Sequence, residues 1–140
     1  MSIQIRKVSS KKELKTFVRF ANRLYKGNKY YVPSMPMDDM NTFTPEKNGA
    51  FDFSEAELYL AYKGDEVVGR VAAIINHKAN EAWKVKQVRF GWIDFIDDLE
   101  VSKALLDAVV AFGKARGMEQ IVGPLGFTDF DPEGMLVEGF

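Results

Sequence analysis

The segment AELYLAYKGDEVVGRVAAIIN, residues 56–76, constrains the fold more than any other part of the chain. Two runs rich in β-branched and aromatic residues, 56–62 and 66–76, flank KGDE, where Gly64 and Asp65 suit a tight hairpin turn. Around this hairpin the chain alternates strand and helix patterns. IQIRKV, residues 3–8, alternates apolar and polar positions and predicts a strand. Ser10 stands three residues before Glu13, a capping-box spacing. Leu14, Phe17, Val18, Ala21, Leu24 and Tyr25 then recur at helical spacing until Gly27 and Asn28. QVRFGWIDFI, residues 87–96, predicts another strand after a polar connection at 77–86. Residues 98–116 predict a helix that turns Val101, Leu105, Ala108, Val109 and Phe112 to one side and closes at Arg116 and Gly117. EQIVGPLGF, residues 119–127, predicts a last strand that ends in a bulge or turn, and DFDPEG, residues 129–134, is turn chemistry. A hairpin within such an order implies an α/β fold: a mixed, mainly antiparallel sheet with helices on both faces.

Composition removes several functional classes. The 140 residues suit a single domain, which at this size buries roughly two thirds of its unfolded surface. Apolar residues are 46% and charged residues 28%, a globular balance. A net charge of −1 supplies no global field to recruit nucleic acid or an anionic membrane. Without cysteine there is no disulfide, thiolate metal site or thiol nucleophile, and with one histidine no metal centre is expected. No apolar run reaches membrane-spanning or signal-peptide character, so a cytoplasmic location is expected.

Four groups of residues are candidates for chemistry. Alternation along 87–96 puts Phe90, Trp92, Asp94 and Ile96 on one face. Asp94 among such neighbours is a candidate general base for an amine, or else a strand-end aspartate bonded to backbone and solvent. His77, at the end of the strand 66–76, belongs to the residue type that titrates near neutrality, although a strand-end histidine is commonly a surface residue. Lys11, Lys15, Arg19 and Arg23 recur every fourth residue, a stripe that suits an anionic partner or simply a solvated helix face. Residues 28–54 contain Pro33, Pro36 and Pro45 and predict a long loop with one short helical turn. At its start Tyr25, Tyr30 and Tyr31 interleave with Lys26 and Lys29, and these rings either stack on a ligand or pack on the sheet.

The junction DFIDDLEVS, residues 94–102, runs from strand to helix without a glycine. A helix N-terminus carries roughly half a positive charge and often seats a phosphate. Asp97, Asp98 and Glu100 bring three negative charges there. One like-charge contact near ~4 Å costs about 4 kcal/mol at an effective dielectric of ~20. The acids therefore argue against an anion and for helix capping, with Asp97 as N-cap and Glu100 as the third helical residue, or for a cation or basic partner.

LYKGNKYYVPSM, GRVAAIINHKANE, VRFGWIDFIDDLEVSKALLDAV and GPLGFTDFDPEGMLVEGF together resemble the GNAT superfamily of acyl-CoA N-acyltransferases, and within it a group of bacterial GNAT-like proteins. The resemblance implies acetyl-CoA or another acyl-CoA as donor and a small-molecule or peptide amine as acceptor. It implies that the backbone of Ile93, Asp94 and Phe95 lies beside the acyl group, and that the loop over 28–54, with Tyr30 and Tyr31, covers the acceptor. The family's pyrophosphate loop maps onto Asp97, Glu100 and Ser102, where its basic and glycine positions are lost. The family's sheet has two further strands, so residues 1–140 are expected to be a GNAT-like domain lacking the last strands, within a longer protein. The apolar MLVEGF, at the edge where the sheet would continue, predicts either a homodimer through that edge or a chain end folded across it. A chain with the fold but without the phosphate loop is alternatively a non-catalytic module that binds through residues 26–54.

Overall fold

The computed structural model describes residues 2–127 and residue 131. The elements run β1 (Ile3–Lys7), α1 (Lys11–Leu24), α2 (Pro36–Thr42), β2 (Ser54–Lys63), β3 (Glu66–Asn76), α3 (His77–Trp83), β4 (Gln87–Phe95), α4 (Leu99–Ala115) and β5 (Gln120–Val122). The strands lie side by side in chain order, antiparallel except for the parallel β4–β5 pair. The expected mixed sheet with helices on both faces is the fold.

The hairpin is its centre. Every residue of β3 after Glu66 is buried, because helices cover both faces of the strand. Val67, Ala72 and Ile74 face Phe17, Val18 and Phe20 of α1, together with Phe43. Val68, Val71, Ala73 and Ile75 face Val101, Leu105, Val109 and Phe112 of α4. Each valine, leucine, isoleucine or phenylalanine among them contributes about 1.5–3 kcal/mol when fully buried. Gly69 lets α4 approach: a Cβ there would stand 2.9 Å from Val101 Cγ1 and 3.0 Å from Leu105 Cδ1.

Three expectations need correction. The polar connection 77–86 contains α3, so His77 opens a helix rather than ending a strand. Asn76 caps that helix by accepting from the Ala79 N–H at 2.9 Å, and its own amide donates to the Phe127 carbonyl at 3.1 Å. The loop over 28–54 holds α2 and two 3-10 turns, at Pro45–Lys47 and Gly49–Asp52. Neither α2 nor α3 has a fully buried residue, so neither leaves a strong apolar repeat in the sequence. The strand expected over 119–127 pairs only at Gln120–Val122. The chain then leaves β4, and Phe127 is buried against Phe43, Phe51 and Trp92. MLVEGF and, apart from Asp131, DFDPEG lie outside the described residues.

The fourth correction is functional. Asp94 pairs with Arg70 and Gly91 with Ala72, so Val71 faces both Trp92 and Ile93 across a β-bulge. Trp92 takes a left-handed φ of 45°, which for a bulky residue costs of order 1–3 kcal/mol. The extra residue reverses the alternation. Phe90 packs on the α4 side, whereas Trp92 packs on Phe43 on the α1 side. Phe90 therefore does not share a face with Trp92 and Asp94.

Candidate functional site

The bulge aims Asp94 at the C-terminal end of α1. There Tyr25, the residue that closes the helix, donates its hydroxyl to Asp94 Oδ1 at 3.0 Å. Arg70, from the facing position on β3, donates to Asp94 Oδ2 through Nε at 2.9 Å and Nη2 at 2.8 Å. Its remaining Nη1 donates to the Phe17 carbonyl at 2.9 Å. The Arg70 side chain is 6% exposed and that of Asp94 18%, so the pair is desolvated but open to solvent on the carboxylate side. Burial, reinforced by the Asp94 charge and hydrogen bond, pushes the Tyr25 hydroxyl up to about 12, against the opposing pull of Arg70. Tyr25 is therefore a neutral donor across the physiological range.

Tyr31 joins this cluster and Tyr30 does not. The Tyr31 ring lies 4.8 Å from that of Tyr25, and its hydroxyl donates to Asn22 Oδ1 at 2.8 Å. Asn22 also ties down the loop, accepting from the Ser34 N–H at 3.1 Å and donating to the Ser34 carbonyl at 3.0 Å. Burial raises the pKa of Tyr31 also. Tyr30 is exposed, with Lys29 over its ring at 5.0 Å. His77 is elsewhere. About 20 Å of strand separates it from Arg70, and its Nε2 lies 3.9 Å from Glu55 Oε2. Arg70 is the site residue that sequence reasoning missed, and Tyr25, noted there among the loop-start tyrosines, was not connected with Asp94. Arg70 had a signal: a lone cation inside the apolar run EVVGRVAAIIN requires a buried acid, and Asp94 is the acid in the equally apolar strand beside it.

Beside the cluster the sheet opens. β5 pairs with β4 only over Gln87–Arg89, and one further bond, from the Leu125 N–H to the Phe90 carbonyl at 2.9 Å, marks where they part. Gly91 permits this: a Cβ there would collide with the Leu125 carbonyl oxygen. From Trp92 to Phe95 no described strand pairs with the outer edge of β4. That edge includes the backbone of Ile93, Asp94 and Phe95.

At the end of β4 the three acids divide. Asp98, not Asp97, is the N-cap of α4: its Oδ1 accepts from the Glu100 N–H at 2.9 Å, and Lys63 Nζ stands 3.7 Å from its Oδ2. Asp97 and Glu100 are exposed, and Asp97 makes no side-chain bond among the described residues. The Ser102 hydroxyl turns back to the Leu99 carbonyl at 3.1 Å. A pyrophosphate does not fit here. The Glu100 N–H that would receive it is taken by the chain's own carboxylate, two more acids stand beside it, and the nearby cations Lys63 and Lys103 are engaged by Asp98 and Asp107.

This architecture recurs in solved structures. The aminoglycoside acetyltransferase AAC(6')-Iy, in complex with the bisubstrate analogue CoA-S-monomethyl-acetylneamine, superposes with a TM-score of 0.62 at 16% identity, over 90% of this chain and 81% of that one. A tandem GNAT protein from the clavulanic acid biosynthesis pathway gives 0.63 at 10% identity, over 84% of this chain and 34% of its own. Glucosamine-6-phosphate N-acetyltransferase from Arabidopsis thaliana gives 0.59 at 12%, over 87% and 81%. The chain has the fold of the GNAT acetyltransferases. Among curated proteins it is similar to protein YghO of Escherichia coli (strain K12), with 32% identity over 136 residues. It is also similar to the bacterial ceramide synthase of Caulobacter vibrioides (strain NA1000 / CB15N), with 31% identity over 134 residues. These matches cover 97% and 95% of this chain but 35% of either relative, so the chain spans about a third of their length. No family model matches it.

Proposed function

We propose that the chain provides the sheet of an N-acyltransferase in which an amine attacks an acyl thioester at the open edge of β4. The observation that carries this reading is that β4 beyond the bulge at Trp92 pairs with β3 on one side only, so that its outer edge over Ile93–Phe95 has no partner strand among the described residues. Backbone N–H groups on such an edge suit the oxyanion of a tetrahedral intermediate. The amine nitrogen forms the C–N bond, the C–S bond breaks, and the sulfur leaves as a thiolate that takes a proton from solvent. Asp94 retains lone pairs beyond those that Tyr25 and Arg70 engage, and in this proposal it takes the ammonium proton through water, while Tyr25 and Arg70 hold it in place. His77 is too far along β3 to share that role.

Acyl-CoA is the donor that the resemblance implies, but the acidic, self-capped start of α4 gives its pyrophosphate no seat, so only the thioester end is assigned to this chain. For the acceptor, the similarity to a bacterial ceramide synthase supports a long-chain amine, since making a ceramide is N-acylation of such an amine. Val32, Met35 and Met37 add exposed apolar surface on the loop after Tyr31. The test is to incubate the longest natural chain containing this sequence with acyl thioesters and a panel of short and long amines, following amide and free thiol together. Equal amounts of amide and thiol with a long-chain amine are expected. Thiol release without amide from any amine contradicts the proposal.

A second reading has its own support in the helix start. A chain whose α4 N-terminus is capped by Asp98 and flanked by Asp97 and Glu100 also suits a non-catalytic module that binds through residues 26–54.

A further inference from the structure

The basic stripe of α1 borders a cleft at the opposite end of the helix from Tyr25 and Asp94. Its volume is about 860 Å³, within the range of small-molecule sites. Its floor is apolar: Leu14 and Val18 from α1, Met40 and Phe43 from α2 and its end, and Leu58 from β2. Its rim is cationic. Lys11, Lys15 and Arg19 succeed one another at four-residue spacing on α1, and Lys47 reaches in from the 3-10 turn at Pro45–Lys47.

The ion pairs define which charges are free. Lys7 is spent on Glu57 at 3.1 Å, and Glu57, the acid in the cleft lining, is engaged further by Tyr59 and by Arg116 at 3.4 Å. Arg23, the last member of the sequence stripe, turns away and donates to the Val67 carbonyl at 2.8 Å. Lys11, Lys15, Arg19 and Lys47 have no hydrogen-bond or ion-pair partner among the described residues. A helix face meant only for solvent would not need an apolar trough beneath its cations. Met37, 74% exposed, extends the apolar surface at the cleft mouth.

We propose that this cleft binds a single-chain anionic amphiphile, a long-chain carboxylate whose tail lies on Leu14, Met40 and Phe43 and whose head meets Lys11, Lys15, Arg19 and Lys47. The apolar floor removes tail surface from water, which drives binding, and the unpaired cations select the charge of the head. The site is separate from the β4 edge and does not depend on any transfer reaction there.

The experiment titrates the whole chain with dodecanoate below its micelle-forming concentration, by calorimetry and by displacement of a fluorescent fatty acid. Dodecanol, dodecylamine, acetate, an acidic peptide and anionic phospholipid vesicles are the comparison arms. Saturable binding of one dodecanoate is expected, about tenfold or more tighter than dodecanol and weakened by salt, with no measurable binding of acetate. The double variant Lys15→Gln, Arg19→Gln carries changes at exposed positions and is checked by its thermal melt. It is expected to lose about tenfold in dodecanoate affinity and nothing for dodecanol. Equal affinity for dodecanoate, dodecanol and dodecylamine overturns the proposal, as does an unchanged affinity in the double variant. Preference for the acidic peptide, or binding to vesicles without binding of the monomer, overturns it equally.

Discussion

Arg70 and Asp94 occupy facing positions on β3 and β4, and the arginine engages one carboxylate oxygen through two nitrogens while Tyr25 holds the other. The pair joins the two central strands to the end of α1 at the place where the sheet begins to open. Removing one partner strands a buried charge, which costs about 3–5 kcal/mol. Asp94→Ala is expected to destabilise the chain by that amount in urea unfolding. The double replacement Arg70→Met, Asp94→Leu is expected to recover much of the loss, because a packed apolar pair of similar volume is often neutral. A double variant as unstable as Asp94→Ala contradicts this account of the pair.

The cap of α4 separates two neighbouring aspartates. Asp98→Ala is expected to cost about 0.5–2 kcal/mol and Asp98→Asn little, since asparagine caps about as well as aspartate. Asp97→Ala is expected to be nearly silent, because Asp98 accepts the Glu100 N–H. Thermal melts of the three variants check this. A larger loss at Asp97 than at Asp98 reverses the assignment.

The opening of the sheet rests on a glycine. Gly91→Ala sets a Cβ against the Leu125 carbonyl oxygen, backbone that has no rotamer to yield, and is expected to cost about 1–3 kcal/mol. Gly49→Ala is the control, for a Cβ there meets nothing within 4 Å. Comparable stability of the two variants contradicts the close approach.

Tyr25 sets an alkaline limit. Its folded pKa, raised to about 12 by burial and by Asp94, lies above the ordinary tyrosine value of 10.0. Between these values the unfolded chain gives up its proton first and the folded chain holds fewer ionised tyrosines. The stability from Tyr25 is thus fully present below pH 10 and is lost as pH rises towards 12. Tyr25→Phe is expected to flatten that part of the stability profile, measured by guanidinium melts across the alkaline range. An unchanged slope contradicts the burial of the Tyr25 O–H against Asp94.

The legible parts of the molecule are those with strong local patterns. The hairpin, α1 and α4 declare themselves because their buried residues repeat at strand or helix spacing. α2 and α3 do not, since they cover little core. The bulge at Trp92 was hidden because it depends on register between β3 and β4, which no property of GWIDF alone announces. For the same reason alternation placed Phe90 on the wrong face. Asp94 was legible as an acid among apolar residues, but its partners Tyr25 and Arg70 come from distant segments. The acids at the start of α4 were legible as caps, although the sequence pattern pointed to Asp97 and the backbone chose Asp98.

The most direct measurement compares two donors that share a thioester and differ in the nucleotide. Amide formation from acyl-pantetheine and from acyl-CoA would be followed with the same long-chain amine in the longest natural chain containing this sequence. If the thioester is held at the β4 edge as proposed, with no pyrophosphate seat at Asp97–Ser102, the two values of kcat/KM are expected to agree within about threefold, less than ~1 kcal/mol. A preference for acyl-CoA of about a hundredfold or more, roughly 2.7 kcal/mol, would contradict the account.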